Sequence, residues 1–184
     1  MAVGIFGGRF DPPHVGHLAL ARAAVERFRL GKLYVTVVAD AAHKPSEASA
    51  EDRLAMARLM FADLDATVEL EQHRYTVDAL EVKRYDDPIF LVGADQLAAF
   101  PTWKEPERVL ELARLGVAAR PGWEPERSSD QMAGSDRIEF FELEPQPVSS
   151  TEVRERVRRG ESIDGLVVPA VAAYIAEHDL YRRA

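Results

Sequence analysis

The chain has 184 residues, 47% of them apolar, and contains no cysteine. This length supports one domain, residues 1–184, with its own core, and the missing cysteines exclude disulfide frameworks, thiolate metal sites and cysteine nucleophiles. A net charge of −8 argues against a nucleic-acid partner, because proteins that bind phosphate backbones usually carry a basic face. With no signal-peptide pattern and no apolar run near the ~18 residues that span a bilayer, we expect a cytoplasmic enzyme without a membrane partner.

The segment after the first strand has the composition of a phosphate-binding turn. An apolar run over 2–6 predicts a buried strand, and Gly7 and Gly8 after it let the backbone approach a ligand closely. A helix begins near His14, and His17 lies three residues further on, so both imidazoles face one side of the first turn. Unpaired N–H groups and the helix dipole favour an anion there.

The same helix has a predicted buried face and a predicted end. The i, i+3, i+7, i+10 spacing indicates a buried stripe of Leu18, Ala21, Val25 and Phe28. Gly31 is expected to end the helix as its C′ residue, and Gly16 is expected to keep the surface between the histidines open.

Apolar strands and helical stretches alternate along the rest of the chain. This pattern predicts an α/β fold, a Rossmann-like doubly wound parallel sheet with helices on both faces. The later strands are predicted over 33–38, 68–70, 89–92, 115–119 and 138–143. The later helices are predicted over about 50–63, 76–85, 150–159 and 171–181, with a mobile polar loop over 121–137. Ser49 is predicted to cap the first of these helices, with Asp52 three residues on completing a capping box.

A second candidate phosphate site lies at the start of the helix that is predicted after residue 149. Ser149 and Glu152 have the spacing of a capping box, and Gly160 is expected to end the helix. Arg154 lies near the positive end of this helix, where a cation is mildly unfavourable unless an anion is bound. The hydroxyls of Ser150 and Thr151 add donors beside the free N–H groups, which indicates a second anion site.

Both segments resemble motifs of one enzyme superfamily. The order of a strand, Gly-Gly, Phe-Asp-Pro-x-His-x-Gly-His and an amphipathic helix resembles the signature of nucleotidyltransferases related to class I aminoacyl-tRNA synthetases. Residues 148–154 resemble the I-S-S-T-x-[IV]-R motif of that superfamily, with Val148 in place of isoleucine. The resemblance implies that the histidines bind a nucleotide triphosphate and stabilise the transition state. It also implies that the second motif binds the β- and γ-phosphates.

Further segments narrow the resemblance to bacterial nicotinate-nucleotide adenylyltransferases. In that family's order, the chain carries Ala42-His43-Lys44-Pro45, Tyr75-Thr76-Val77-Asp78-Ala79-Leu80, Gly93-Ala94-Asp95, Trp103-Lys104, Ala119-Arg120-Pro121-Gly122 and a closing helix over 171–181. The resemblance implies adenylyl transfer from ATP to nicotinate mononucleotide, giving deamido-NAD and pyrophosphate in NAD biosynthesis. It also implies Mg²⁺ bound with ATP, held by phosphate and water and not by a dedicated protein cage.

The resemblance assigns roles to three sets of residues. The catalytic set is His14, His17, Lys44 and Arg154. The ATP-binding set is Gly7, Gly8, Arg9, Phe10, His14, His17, Gly93, Asp95, Ser149, Ser150, Thr151 and Arg154. The set for nicotinate mononucleotide is Gly8, Lys44, Tyr75, Thr76, Asp95, Trp103 and Arg120. Within it, backbone N–H groups at Tyr75 and Thr76 are expected to bind the pyridine carboxylate, and Trp103 to stack on the ring.

The chain departs from the family pattern at two positions. Ala79 replaces a usual threonine, which is expected to alter packing only. Arg9 replaces a usual threonine or serine and adds a guanidinium that can reach a phosphate or a carboxylate.

Structural interpretations stay open for several of these residues. Lys44 could be an ordinary surface lysine. Trp103 could fill a gap between helices, and Asp95 could cap the next helix. For the remaining histidines, His73 and His178, a structural interpretation is favoured.

Three other functions are weighed against the adenylyltransferase. Phosphopantetheine adenylyltransferases share the fold, but they usually have threonine in place of His14 and lack the context of Trp103. A nucleotide-binding regulatory domain without turnover is disfavoured by the presence of both motif histidines and Arg154. A synthetase fragment is disfavoured by the short, acidic chain without a tRNA-binding appendage. The sequence leaves a homo-oligomer open.

Overall fold

The fold is built on one sheet of six parallel strands. The computed structural model describes residues 1–39, 46–121 and 134–182. The strands are β1 (Val3–Gly8), β2 (Lys32–Val38), β3 (Ala66–Glu71), β4 (Pro88–Gly93), β5 (Arg114–Ala119) and β6 (Ile138–Glu142). They lie in the order β3-β2-β1-β4-β5-β6, and every neighbouring pair is parallel. This is the predicted doubly wound arrangement, whose strand order reverses between β1 and β4.

Helices cover both faces of this sheet. The α-helices in the described ranges are α1 (Val15–Phe28), α2 (Ala50–Met60), α3 (Thr76–Lys83), α4 (Ala94–Ala99), α5 (Pro106–Leu112), α6 (Ser150–Arg159) and α7 (Pro169–Glu177). One buried cluster, containing Phe6, joins α1, α2, α6 and α7 to one face. A second, containing Ile5, joins α3, α4 and α5 to the other. Ile5 and Phe6 separate into different clusters because successive side chains of a strand point to opposite faces.

The β1–α1 unit differs from the prediction at its two ends. Gly7 and Gly8 belong to β1 itself, where both pair with β2, and do not follow the strand. The prediction that Gly31 ends α1 is wrong, because the helix ends at Phe28 and Arg29 takes the left-handed conformation with φ 47°. Gly31 instead donates its N–H to the carbonyl of Ala2 at 2.9 Å, which places the chain for β2.

Other helix ends follow the predicted chemistry in part. Ser49 and Ser149 each accept the N–H of the residue three positions on, and Gly160 ends α6 with φ 68°, as expected. The Asp52 carboxylate accepts from the Ser49 and Tyr174 hydroxyls, so the predicted box at α2 lacks its backbone half. The helices predicted to end at 63, 85 and 181 end at 60, 83 and 177. Most of the loop predicted over 121–137, residues 122–133, lies outside the described residues.

No helix within the described ranges is both long enough and apolar enough to cross a membrane.

Candidate active site

The candidate site lies at the carboxyl ends of the strands, beside the point where the strand order reverses. Ligands of open parallel sheets bind in the crevice at this position. The residues after β1 line the crevice, and the first turn of α1 rises from it with His14 as its N-cap residue. The two faces of the sheet supply the two halves of the site.

The rings of His14 and His17 lie together on one side of the first turn of α1, as the sequence predicts. Their ring centroids lie 3.7 Å apart with 33° between the planes. The backbone N–H of His14 donates to Nδ1 of His17 at 3.1 Å. A side chain at Gly16 would bring its Cβ to 3.1 Å from the His14 ring, so only glycine leaves this pair unobstructed.

Both imidazoles are neutral at pH 7. Burial lowers the pKa of His14 to about 4. Burial, followed by the neighbouring His14, also lowers the pKa of His17. Because Nδ1 of His17 accepts a hydrogen bond, a neutral ring carries its proton on Nε2 and offers that N–H as a donor. Nδ1 of His14 is buried without a hydrogen bond among the described residues, and a ligand could satisfy it.

The two predicted phosphate motifs meet although they are far apart in the chain. The hydroxyl of Ser150 donates to the carbonyl of Pro12 at 2.8 Å. Nη1 of Arg154 donates to the carbonyl of Asp11 at 2.7 Å. The N-termini of α1 and α6 therefore flank one loop, which is the arrangement needed to surround a polyphosphate with N–H donors.

Arg154 is buried and already holds a carboxylate in this structure. Only 7% of the residue is exposed, and its Nε donates to Oε1 of Glu47 at 2.8 Å. Arg158 donates to the other oxygen of the same carboxylate. Burial alone would raise the pKa of Glu47, but the hydrogen bonds from Arg158 and Arg154 lower it. A phosphate that binds these guanidinium groups must therefore compete with the Glu47 carboxylate.

We expect Glu47→Gln to strengthen pyrophosphate binding. The two partly exposed ion pairs together contribute about 0.7 to 1.4 kcal/mol, which corresponds to a fall in Kd of about threefold to tenfold. The measurement is calorimetric titration with pyrophosphate. Glu155→Gln, which makes the same charge change on the exposed side of α6, is the control and should leave Kd unchanged. Equal effects of the two substitutions would show a general charge effect, and weaker binding to the Glu47 variant would contradict the competition.

A buried arginine, which the sequence analysis did not select, holds the loop between the motifs. Arg53 on α2 is 1% exposed. Its guanidinium donates to four backbone carbonyls, those of Arg9, Val38, Ala39 and Ala48, at 2.7 to 3.3 Å. Burial lowers its pKa, an effect that the nearby Asp11 charge opposes. Arg53 thus joins the turns after β1 and β2 to the start of α2.

Asp11 completes this internal network. Its carboxylate accepts the N–H groups of Glu47 and Ala48 at 2.7 and 3.1 Å. It also accepts the hydroxyl of Tyr181 at 2.8 Å, which ties the segment after α7 to the phosphate loop. Burial, and then the adjacent Asp11 charge, raises the pKa of Tyr181, so this hydroxyl stays a donor.

Removing the Arg53 donors is expected to destabilise the fold. Arg53→Met keeps the length of the side chain but leaves four carbonyls unpaired, so the free energy of unfolding should fall by about 3 kcal/mol or more. Urea titration measures this change. Arg58→Met, at an exposed position on the same helix, should stay within about 0.5 kcal/mol of the wild type. If the two substitutions cost the same, the carbonyl cluster does not depend on Arg53.

An open cavity of about 360 Å³ lies on the α3 side of the same loop. Its walls come from the ends of β1, β2, β3 and β4, the start of α3 and the turn before α5; the lining includes Gly8, Arg9, Thr36, Glu71, Tyr75, Thr76, Phe90, Trp103 and Lys104. Trp103 meets Phe90 and Phe100 edge to face, with centroids 5.9 and 5.2 Å away. The cavity combines an aromatic wall with polar groups, as small-molecule sites do.

The predicted acceptor residues divide into three groups. Gly8, Tyr75, Thr76 and Trp103 line the cavity. Asp95, on the first turn of α4, and Arg120, directly after β5, are exposed and do not line it. Lys44 lies outside the described residues.

Several predicted ATP residues have a structural partner or a buried side chain. Phe10 is 2% exposed and packs on Phe6 and Phe61, so its backbone, and not its ring, is the part that can reach ATP. The Ser149 hydroxyl caps α6, and the Ser150 hydroxyl is donated to Pro12. Thr151 is exposed beside Arg154, with its Oγ1 3.4 Å from Nη2. Gly93 is the N-cap residue of α4, at the end of β4.

Two residues at the end of β3, neither of which the sequence analysis assigned to the site, also line the cavity. His73 and Glu71 both line the cavity, and Nδ1 of His73 lies 2.7 Å from a Glu71 oxygen. Lys83 contacts the other oxygen at 2.7 Å. Burial alone would raise the pKa of Glu71, but hydrogen bonds from Lys83 and His73 lower it.

The buried position of Arg53 could have been found from the sequence, since Arg53 falls in the apolar stripe of α2 with Met56 and Met60.

Comparison with known proteins places the chain among nucleotidyltransferases. Residues 5–156 match the family model described as cytidylyltransferase-like. A protein of Chlorobium luteolum named "probable nicotinate-nucleotide adenylyltransferase" is 38% identical over 198 residues, which cover 100% of both chains. A relative of the same name from Thermus thermophilus is 40% identical over 192 residues, covering 99% of this chain and 100% of the relative.

Solved structures share the fold. Nicotinic acid mononucleotide adenylyltransferase of Plasmodium falciparum, complexed with NaAD, superposes with a TM-score of 0.78. The match covers 98% of this chain and 97% of that chain at 16% sequence identity. This likeness concerns the arrangement of strands and helices.

Proposed function

Because this chain belongs to the nicotinate-nucleotide adenylyltransferases, a cytidylyltransferase-like family, we propose that it transfers the adenylyl group of ATP to nicotinate mononucleotide. The products are deamido-NAD and pyrophosphate, so the reaction is a step of NAD biosynthesis. One structural observation carries the proposal. The N-termini of α1 and α6 flank a single loop, and the cavity walled by Trp103 opens on the other side of that loop.

The reaction is a direct displacement at phosphorus. An oxygen of the acceptor's 5′-phosphate attacks the α-phosphorus of ATP, and the bond from that phosphorus to the bridging oxygen breaks. The electron pair leaves on pyrophosphate. Such transfers depend on alignment and on neutralising charge, which explains why the site offers donors and cations and needs no protein nucleophile.

We assign the phosphate contacts to residues of both motifs. We assign the Nε2–H of His17, together with His14, to the negative charge that develops on the α-phosphate and the bridging oxygen. Arg154 and, from its sequence motif, Lys44 would hold the departing pyrophosphate. Among cavity residues, we assign the start of α3 at Tyr75 and Thr76 to the pyridine carboxylate and Trp103 to the ring.

We further propose that Mg²⁺ enters with ATP. Among the described residues no group of three His, Asp or Glu side chains is arranged to hold a metal ion, so we assign its ligands to phosphate oxygens and water. The ion would neutralise phosphate charge. We propose the cytoplasm as the compartment, and a homo-oligomer stays an open prediction.

The direct test supplies purified protein with ATP, Mg²⁺ and nicotinate mononucleotide. Dinucleotide, separated by chromatography, and pyrophosphate, measured by a coupled assay, should appear in equal amounts. Nucleotide binding without turnover would support the regulatory-domain alternative and contradict the proposal. Transfer of the adenylyl group to phosphopantetheine in place of the mononucleotide would support the alternative of a phosphopantetheine adenylyltransferase.

A further inference from the structure

Lys104 lies at the cavity wall in a defined position. Its Nζ is 2.6 Å from Oδ1 of Asp78 and 5.3 Å from the centroid of the Tyr75 ring. The side chain lines the same cavity as Trp103, its neighbour in the chain. Although the side chain is 42% exposed, the carboxylate and the aromatic face together hold the ammonium beside the start of α3.

The charges around this ammonium favour an anionic ligand. Arg9, Arg74 and Lys104 all line the cavity. The acidic side chain among the lining residues, Glu71, is paired with Lys83 and His73. Asp78, which pairs with Lys104, stands in the first turn of α3 and is not among the residues that line the cavity.

The geometry leaves Lys104 able to donate to a ligand. An ammonium has three N–H donors, and the Asp78 contact uses one of them. The Tyr75 N-cap makes no side-chain cap hydrogen bond, so the start of α3 and the ammonium present donors to one region of the cavity wall. That region adjoins Trp103, the residue assigned to the pyridine ring.

We propose that Lys104 is a specificity-determining residue that selects an acceptor bearing a carboxylate on its aromatic ring. This inference rests on the proposed function and adds a side-chain cation to the backbone donors assigned above. A carboxylate on a ring stacked at Trp103 gains a charge-assisted hydrogen bond from Nζ, whereas a neutral amide gains no ionic contact. Because the ring is remote from the reacting phosphate, Lys104 acts on acceptor binding.

The test compares nicotinate and nicotinamide mononucleotides as acceptors for the wild type, Lys104→Met and Lys104→Arg. For Lys104→Met we expect kcat/KM with the nicotinate compound to fall about tenfold, mainly through KM, and kcat/KM with the nicotinamide compound to stay within about twofold. Lys104→Arg should retain most of the selectivity. Lys32→Met is the control, because it removes a similar surface ion pair, that of Lys32 with Asp65. Lys32 begins β2, at the end of the strand away from the cavity, so kcat/KM should change with neither acceptor.

Salt dependence separates a charge effect from a structural one. Raising ionic strength should reduce the selectivity of the wild type more than that of Lys104→Met, because the variant lacks one of the charges that salt screens. An equal loss with both acceptors, or an unchanged ratio, would overturn the inference while dinucleotide formation by the wild type upholds the proposed function. Absence of dinucleotide from either acceptor in the wild type would reject the proposed function itself.

Discussion

His17→Ala is expected to lower kcat by about 10²–10³, the effect of losing one donor that stabilises transition-state charge. The His17 ring contacts the tilted ring of His14 and that of Phe10, at 3.7 and 5.1 Å between centroids, and its Nδ1 accepts the His14 N–H. The substitution therefore also removes a helix-capping contact, which costs about 1 kcal/mol of stability. Single-turnover kinetics and thermal unfolding measure the two effects.

A second variant separates chemistry from capping. His17→Asn keeps an acceptor for the His14 N–H but has no imidazole, so it should recover stability and not kcat. His178→Ala, which removes an exposed imidazole stacked on Tyr174, should leave kcat unchanged. Near-normal turnover in a folded His17→Ala protein would show that this histidine does not contact the reacting phosphates.

The wild-type protein should use nicotinate mononucleotide with a kcat/KM about 10² or more above that for nicotinamide mononucleotide. The start of α3 and the Lys104 ammonium both present donors at the cavity wall. A carboxylate accepts from these donors, whereas the NH₂ of an amide would face donors and leave polar groups unpaired. Mismatches of this kind separate substrates by orders of magnitude.

Trp103→Ala provides the matched comparison. It removes an aromatic wall that both acceptors share, so kcat/KM should fall for both and the selectivity should persist. Equal kcat/KM for the two acceptors in the wild type would reject selection of the carboxylate and leave adenylyl transfer in place. Loss of selectivity on Trp103→Ala would mean that stacking, and not the donors, distinguishes the acceptors.

Local sequence was sufficient to predict the turn that carries both motif histidines and the class of fold. Strands and helices alternate along the chain, and each has a characteristic spacing of apolar residues. The doubly wound sheet was therefore predictable from the sequence. The His14 and His17 pair follows from i, i+3 spacing on one helical turn. The caps at Ser49, Ser149 and Gly160 depend on neighbours within a few residues and were predicted correctly.

Helix ends were less predictable, because each depends on the contacts that the following residues make with other segments. Gly31 has the residue type of a helix C′ position, yet its N–H is used by Ala2, and Arg29 takes the left-handed turn earlier. Phe10 stands in a motif that suggests ligand contact, but aromatic packing with Phe6 and Phe61 buries its ring. In both cases a partner from another segment overrides the local preference.

By itself the sequence determined the class of fold and the family, and it predicted the phosphate-binding residues, because motifs and periodic patterns are properties of short segments. Only the tertiary structure decided which groups meet. Arg53 reaches the carbonyl of Arg9 across 44 positions, and Arg154 reaches that of Asp11 across 143. Pairing of Glu47 with Arg154, and placement of Lys104 beside the start of α3, likewise join separate segments. Such contacts arise from how the helices pack on the sheet, and no local pattern encodes them.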